Sequence, residues 1–109
     1  MKNLIILLFL ISQVIVGQTF TLKGIVLNEN SEPMSSANVY LLNEGKGTAT
    51  DSNGEFILNA EFDKNDILVV KYLGYKTKEF NINEIDFSKV LEVRLTPQEL
   101  SSQTVLVEA

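Results

Sequence analysis

Three groups of side chains in this sequence have types and spacings that could carry chemistry. Asp51, Asn53 and Glu55 place oxygen donors at alternate positions around Gly54, which echoes part of a calcium loop. The carboxylates Asp63 and Asp66, and Glu84 and Asp86, fall close enough in sequence to pair for acid–base work. The rings of Tyr40, Phe56, Tyr72, Tyr75 and Phe80 could stack against a sugar or a peptide. Each group has a structural alternative that competes with its chemistry.

A calcium loop of this kind needs its glycine sixth and a closing bidentate Glu twelfth; here the glycine is fourth and the twelfth position is Phe62. The same residues read better as a hairpin turn. Asn53-Gly54 tolerates positive φ, and Glu55-Phe56-Ile57-Leu58 resumes a strand at once. Both carboxylate pairs sit in polar turn clusters with Lys64 or Lys89 nearby, where solvated loop charge is the usual explanation. Aromatic residues at alternating strand positions usually pack in a core or across strands. The absence of Trp weakens a stacking face further.

Composition narrows the chemistry more. The 109 residues include no Cys and no His, so there is no thiol nucleophile, no Ser-His relay, no disulfide and no ordinary zinc site. A net charge of −5, with no run of basic residues, argues against neutralising nucleic-acid phosphates. No catalytic residue, cofactor site or metal site is expected.

The elements that would position these residues follow from hydrophobic patterning. Met1-Lys2-Asn3, the apolar run Leu4 to Val16 and then Gly17-Gln18 read as a secretory signal peptide over residues 1–17. As a helix the run would span about 20 Å, short of the roughly 30 Å hydrocarbon core of a membrane. No Cys follows it to carry a lipid anchor. Residues 18–95 alternate with period two in short segments separated by turn clusters, with no convincing amphipathic helix. Strands are expected near Phe20–Val26, Ala37–Leu42, Thr48–Thr50, Glu55–Leu58, Ile67–Val70, Lys76–Ile82 and Val90–Leu95. Gly24 interrupts the first of these where a bulge would sit, and the strand at Ala37–Leu42 is expected to be buried on both faces. The apolar run Ile67 to Val70 fits a central strand, and Tyr72-Leu73-Gly74-Tyr75 marks a bend in which Gly74 permits positive φ. The expected fold is all-β, a seven-stranded Greek-key sandwich. From Thr96 the chain becomes polar around Pro97 and ends on Val105-Leu106-Val107-Glu108-Ala109, so residues 96–109 read as a linker and an apolar stub.

The ordered set Gly24-Ile25-Val26, Pro33, Ala37-Asn38-Val39, Gly47, Thr50-Asp51-Ser52-Asn53-Gly54-Glu55-Phe56, Leu73-Gly74-Tyr75 and Leu95-Thr96-Pro97 resembles the carboxypeptidase-regulatory-like β-sandwich. It is most similar to the version at the N-terminus of SusC-like TonB-dependent outer-membrane receptors of Bacteroidetes. That resemblance implies an immunoglobulin- or transthyretin-like sandwich in the periplasm of a Gram-negative bacterium, ahead of a receptor plug and barrel. It also implies a Val-rich segment, the TonB box, offered to the periplasmic coupling protein TonB. Val105, Leu106 and Val107 resemble that box in position and character, without the usual acidic residue immediately before the valines.

The function implied is that of a non-enzymatic accessory domain, an N-terminal fragment that would associate with a membrane only through a barrel it lacks. A stand-alone exported ligand-binding or adhesion module is the alternative. A transthyretin-like hydrolase fails because that family's catalysis relies on histidines. Whether Val105 to Val107 pairs with a partner or completes this domain's own sheet stays open. An extended segment can do either through main-chain hydrogen bonds.

Overall fold

A computed structural model describes residues 19–99; the leader expected at residues 1–17 and the segment Val105-Leu106-Val107 lie outside the described residues. Within them, alternating apolar side chains build β1 (Phe20–Leu27), β2 (Asn38–Leu41), β3 (Gly47–Ala49), β4 (Glu55–Ala60), β5 (Ile67–Lys71), β6 (Lys78–Asn81) and β7 (Leu91–Arg94). A 3-10 turn at Ile82–Glu84 lies between β6 and β7. The strands form two sheets, ordered β4-β1-β7 and β3-β2-β5-β6. β1 runs antiparallel to β4 and parallel to β7, whereas every pair in the four-stranded sheet is antiparallel.

The sheets share one core. Leu22, Val26, Phe56, Leu58 and Val93 from the first meet Val39, Leu41, Leu68 and Val70 from the second. Each such aliphatic side chain contributes about 1.5–3 kcal/mol when fully buried, so the stack can hold without disulfides. The chain is thus an all-β sandwich.

Several local expectations change in three dimensions. No bulge forms at Gly24: the β1–β4 register runs unbroken from Phe20↔Ala60 to Ile25↔Glu55. Gly24 instead lies on the buried face between Leu22 and Val26, opposite Phe56. A Cβ there would overlap two carbons of the Phe56 ring. The glycine is a space for an aromatic ring rather than a break in the strand. β2 is buried on one face only, with Val39 and Leu41 inside, Tyr40 half-buried and Leu42 50% exposed just past the strand. β5, between β2 and β6, buries Leu68, Val69 and Val70 together, so it does fill its place on both faces.

The most consequential difference concerns Asp51 to Gly54. The sequence suggests a hairpin there, yet β3 and β4 belong to different sheets. The turn itself is well made: Asp51 Oδ1 accepts from the backbone N–H groups of Asn53 and Glu55, each at 2.9 Å. Gly54 takes a positive φ of 76°, and a Cβ on it would lie 2.7 Å from the Val26 carbonyl oxygen. Asn53 does not adopt positive φ. Two contacts then pull the chain across. Val26 N–H donates to the Gly54 carbonyl at 2.7 Å, which fastens the turn to β1. Buried Thr50 donates its hydroxyl to the Met34 carbonyl at 2.5 Å and accepts from Ala37 N–H at 2.8 Å. Turn residues specify a reversal, but these nonlocal bonds decide which strand the chain joins next.

Asp66, 1% exposed, ties the other end of the sandwich. Its Oδ1 accepts from Asn43 N–H at 2.9 Å and Ile67 N–H at 2.7 Å, and its backbone carbonyl accepts from Ile82 N–H at 3.1 Å.

Urea unfolding tests the roles of Gly24 and Asp66. Gly24→Ala should lower the unfolding free energy by about 1–3 kcal/mol through overpacking, and adding Phe56→Leu should recover part of that loss. Purely additive losses would show that Gly24 and Phe56 do not compete for one space. Asp66→Ala, which strips the acceptor from two part-buried N–H groups, should cost about 1–3 kcal/mol. Asp66→Asn keeps an acceptor oxygen and should cost less; equal costs would mean the carboxylate oxygen is not what holds the Asn43 turn.

Candidate interaction surface

The connection from β5 to β6 makes the most exposed apolar feature of the described chain. Tyr75 N–H donates to the Tyr72 carbonyl at 2.9 Å, closing a four-residue turn whose third residue, Gly74, has φ of 88°. A positive φ at that position is the type II pattern. Gly74 is required for its backbone angle alone, since a Cβ there would meet nothing within 4 Å. The rings of Tyr72 and Tyr75 pack edge to face at 5.6 Å, and Leu73 between them is 97% exposed. A leucine so presented buries almost none of its side chain in the fold and faces outward.

The chain after β7 is fastened to the same turn. Lys76 N–H donates to the Thr96 carbonyl and Gln98 N–H to the Gly74 carbonyl, both at 2.9 Å, with Tyr75 and Pro97 bridged antiparallel between them. Leu95, fully buried, anchors the approach by donating its N–H to the Leu27 carbonyl at 2.8 Å. Beside the turn, an open groove of about 770 Å³ crosses the outer face of the four-stranded sheet. Tyr40 and Ala49 line it from one side and Lys71, Tyr72, Tyr75 and Gln98 from the other.

The structure sorts the candidate residues. Tyr40, Tyr72 and Tyr75 line the groove, Tyr72 and Tyr75 packing against the core beneath it, whereas Phe56 lies in the core and Phe80 packs against it without reaching the groove. Asp51 and Asn53 belong to the crossover turn, and no cluster of three or more His, Cys, Asp or Glu side chains suited to a metal occurs among the described residues. The carboxylate pairs build turns: Asp63 Oδ1 accepts from Asn65 N–H at 2.9 Å, Asp66 is spent inside the fold, and Asp86 accepts from the Ser88 N–H and hydroxyl at 3.0 and 2.6 Å. Those Ser88 bonds hold the Asp86 carboxyl below its ordinary pKa. Its small contribution to stability is therefore present at neutral pH and is lost as acid protonates it.

Two residues that matter here are absent from the set expected on sequence. Thr50 carries no local signal of its buried role, which depends on residues 34–37. Leu73 does carry one, because the second position of a tight turn before Gly cannot reach the core.

Partial burial pushes the Tyr75 phenol above its ordinary pKa, and the Glu29 carboxylate from the β1–β2 loop pushes it the same way. As pH rises past about 10, an unfolded tyrosine ionises before this one, so alkali erodes rather than adds stability here. Glu29→Gln should lower the Tyr75 midpoint in an NMR titration of its ring; an unchanged midpoint would separate Glu29 from the site.

Comparison with known proteins agrees with this construction. The family model described as CarboxypepD_reg-like domain matches residues 22–107. The TonB-dependent receptor SusC of Bacteroides thetaiotaomicron is 39% identical over 66 residues, which cover 61% of this chain and 6% of that receptor. The chain therefore spans only a small fraction of the curated relative it matches. With the family match covering most of its length and both sheets of the sandwich, this chain belongs to the CarboxypepD_reg-like domain family.

Proposed function

We propose that this chain is a non-enzymatic periplasmic accessory domain of a TonB-dependent outer-membrane nutrient receptor, acting through protein contacts. Residues 1–17 would be the cleaved leader and the two sheets a Greek-key sandwich. The segment Val105-Leu106-Val107 would be offered to a TonB-type coupling protein, with a plug and barrel as the neighbouring partners. Similarity to a TonB-dependent receptor supports the setting. The observation that carries the contact role is the tie between Gly74–Lys76 and Thr96–Gln98, which delivers the outgoing chain beside a turn with exposed Leu73 between two half-buried tyrosines.

This arrangement suits recognition better than catalysis. Its polar side chains are phenols, the hydroxyls of Thr48 and Thr77, one amine and amides, with no base placed to activate a hydroxyl. An extended Val-Leu-Val segment can instead add its backbone to a partner's sheet edge and select by alternate side chains. The open groove with three tyrosines favours a second reading, a stand-alone exported ligand-binding module.

A pull-down with the periplasmic domain of a TonB-type protein separates the two. Replacing Val105 and Val107 by Asp in the full chain should reduce capture at least tenfold, and truncation after Glu99 should do the same. Equal capture by all three chains would refute the role of the segment, whereas a small-molecule ligand retained by the truncated chain would support the second reading.

A further inference from the structure

We infer that the groove over the four-stranded sheet is the resting seat of this chain's own Val105-Leu106-Val107 segment, so that a partner must displace the segment before capturing it. The inference rests on the proposal that the segment is offered to a partner, and adds where it is held beforehand. Four observations favour that occupant. The described chain leaves from the edge of the groove: Gln98 forms part of its wall and is fixed there by its bond to the Gly74 carbonyl. The path beyond is long enough. Residues 100–104 span about 16 Å when extended, at ~3.3 Å per residue, against about 10 Å across β5, β2 and β3, the strands that line the groove.

The lining is also suited to such a strand. Tyr40 and Tyr72 supply apolar ring surface, and the short side chain of exposed Ala49 on β3 leaves the sheet open to branched side chains beside them. Lys71 in the wall makes no ion pair among the described residues and complements Glu108, which follows the apolar triplet. Finally, the family match runs on to residue 107 and so takes in the triplet. A segment lying in the groove covers its valines, and its release exposes both the segment and the tyrosines at one place.

The absence of cysteine gives a clean test in the full-length chain. Ala49→Cys with Leu106→Cys places one thiol at the groove; Asn59→Cys with Leu106→Cys places it on the exposed outer face of the other sheet. Both sheet positions are exposed, so folding is not at risk. Under mild oxidation the first pair should form a monomeric disulfide at least tenfold faster than the second, and the locked chain should lose capture by the coupling domain until reduced. Equal rates would overturn the inference, and so would disulfide-linked dimers alone, which would seat a second copy's segment there. If no lock forms while the segment still captures the partner, the seat fails and the proposed function stands. A lock that forms in a chain with no capture, even when reduced, would leave the segment's own contact with the groove but refute the displacement by a partner.

Discussion

The bond from Val26 N–H to the Gly54 carbonyl, with the Thr50 hydroxyl bridging Met34 and Ala37 nearby, decides how one chain becomes two sheets. Without that junction β3 and β4 would be free to continue as a hairpin, as their turn residues alone suggest. With it, β4 lies against β1, and β1 in turn carries β7 on its other edge. The position of β7 then fixes Leu95, and Leu95 fixes where the chain emerges. The candidate surface is therefore set by a junction well away from it in sequence.

Economy of buried polar groups makes the junction effective. Thr50 and Asp66 are the buried polar or charged residues of the described core; Thr50 spends its hydroxyl on backbone groups of the β1–β2 loop, and Asp66 its Oδ1 on the N–H groups of Asn43 and Ile67, while its Oδ2 is buried without a partner among the described residues. Thr50 holds the β1–β2 connection against the crossover, and Asp66 holds the β2–β3 turn against the start of β5. A small domain with neither cysteine nor histidine has few ways to brace long connections. Hydrogen-bonded side chains inside an otherwise apolar stack serve that purpose, because leaving their partners unpaired is costly.

Much of the fold is legible in the sequence because it rests on period-two patterning. The apolar run of β5 points to an interior strand, and Tyr72-Leu73-Gly74-Tyr75 announces a bend. The features that sequence misplaces depend on partners distant along the chain. Gly24 resembles a break until Phe56 is placed opposite it, and β2 reads as two-sided until Tyr40 and Leu42 are found facing outward. The hairpin expected at Asp51 to Gly54 fails for the same reason, since residue types fix a turn but not the sheet that follows. Part of the candidate surface is legible as well. The aromatic set contains the right three tyrosines, but only the register of four strands separates them from Phe56 and Phe80.

The proposed contact role depends on the emerging chain being firmly pinned beside the Tyr72–Tyr75 turn rather than frayed. Amide hydrogen exchange of the full chain at neutral pH tests this most directly. The amides of Lys76 and Gln98 should exchange as slowly as those of β6, because both donate to backbone carbonyls across the Gly74–Thr96 pairing. Exchange at both positions as fast as in an exposed loop would contradict it, since the outgoing chain would then have no fixed point of departure.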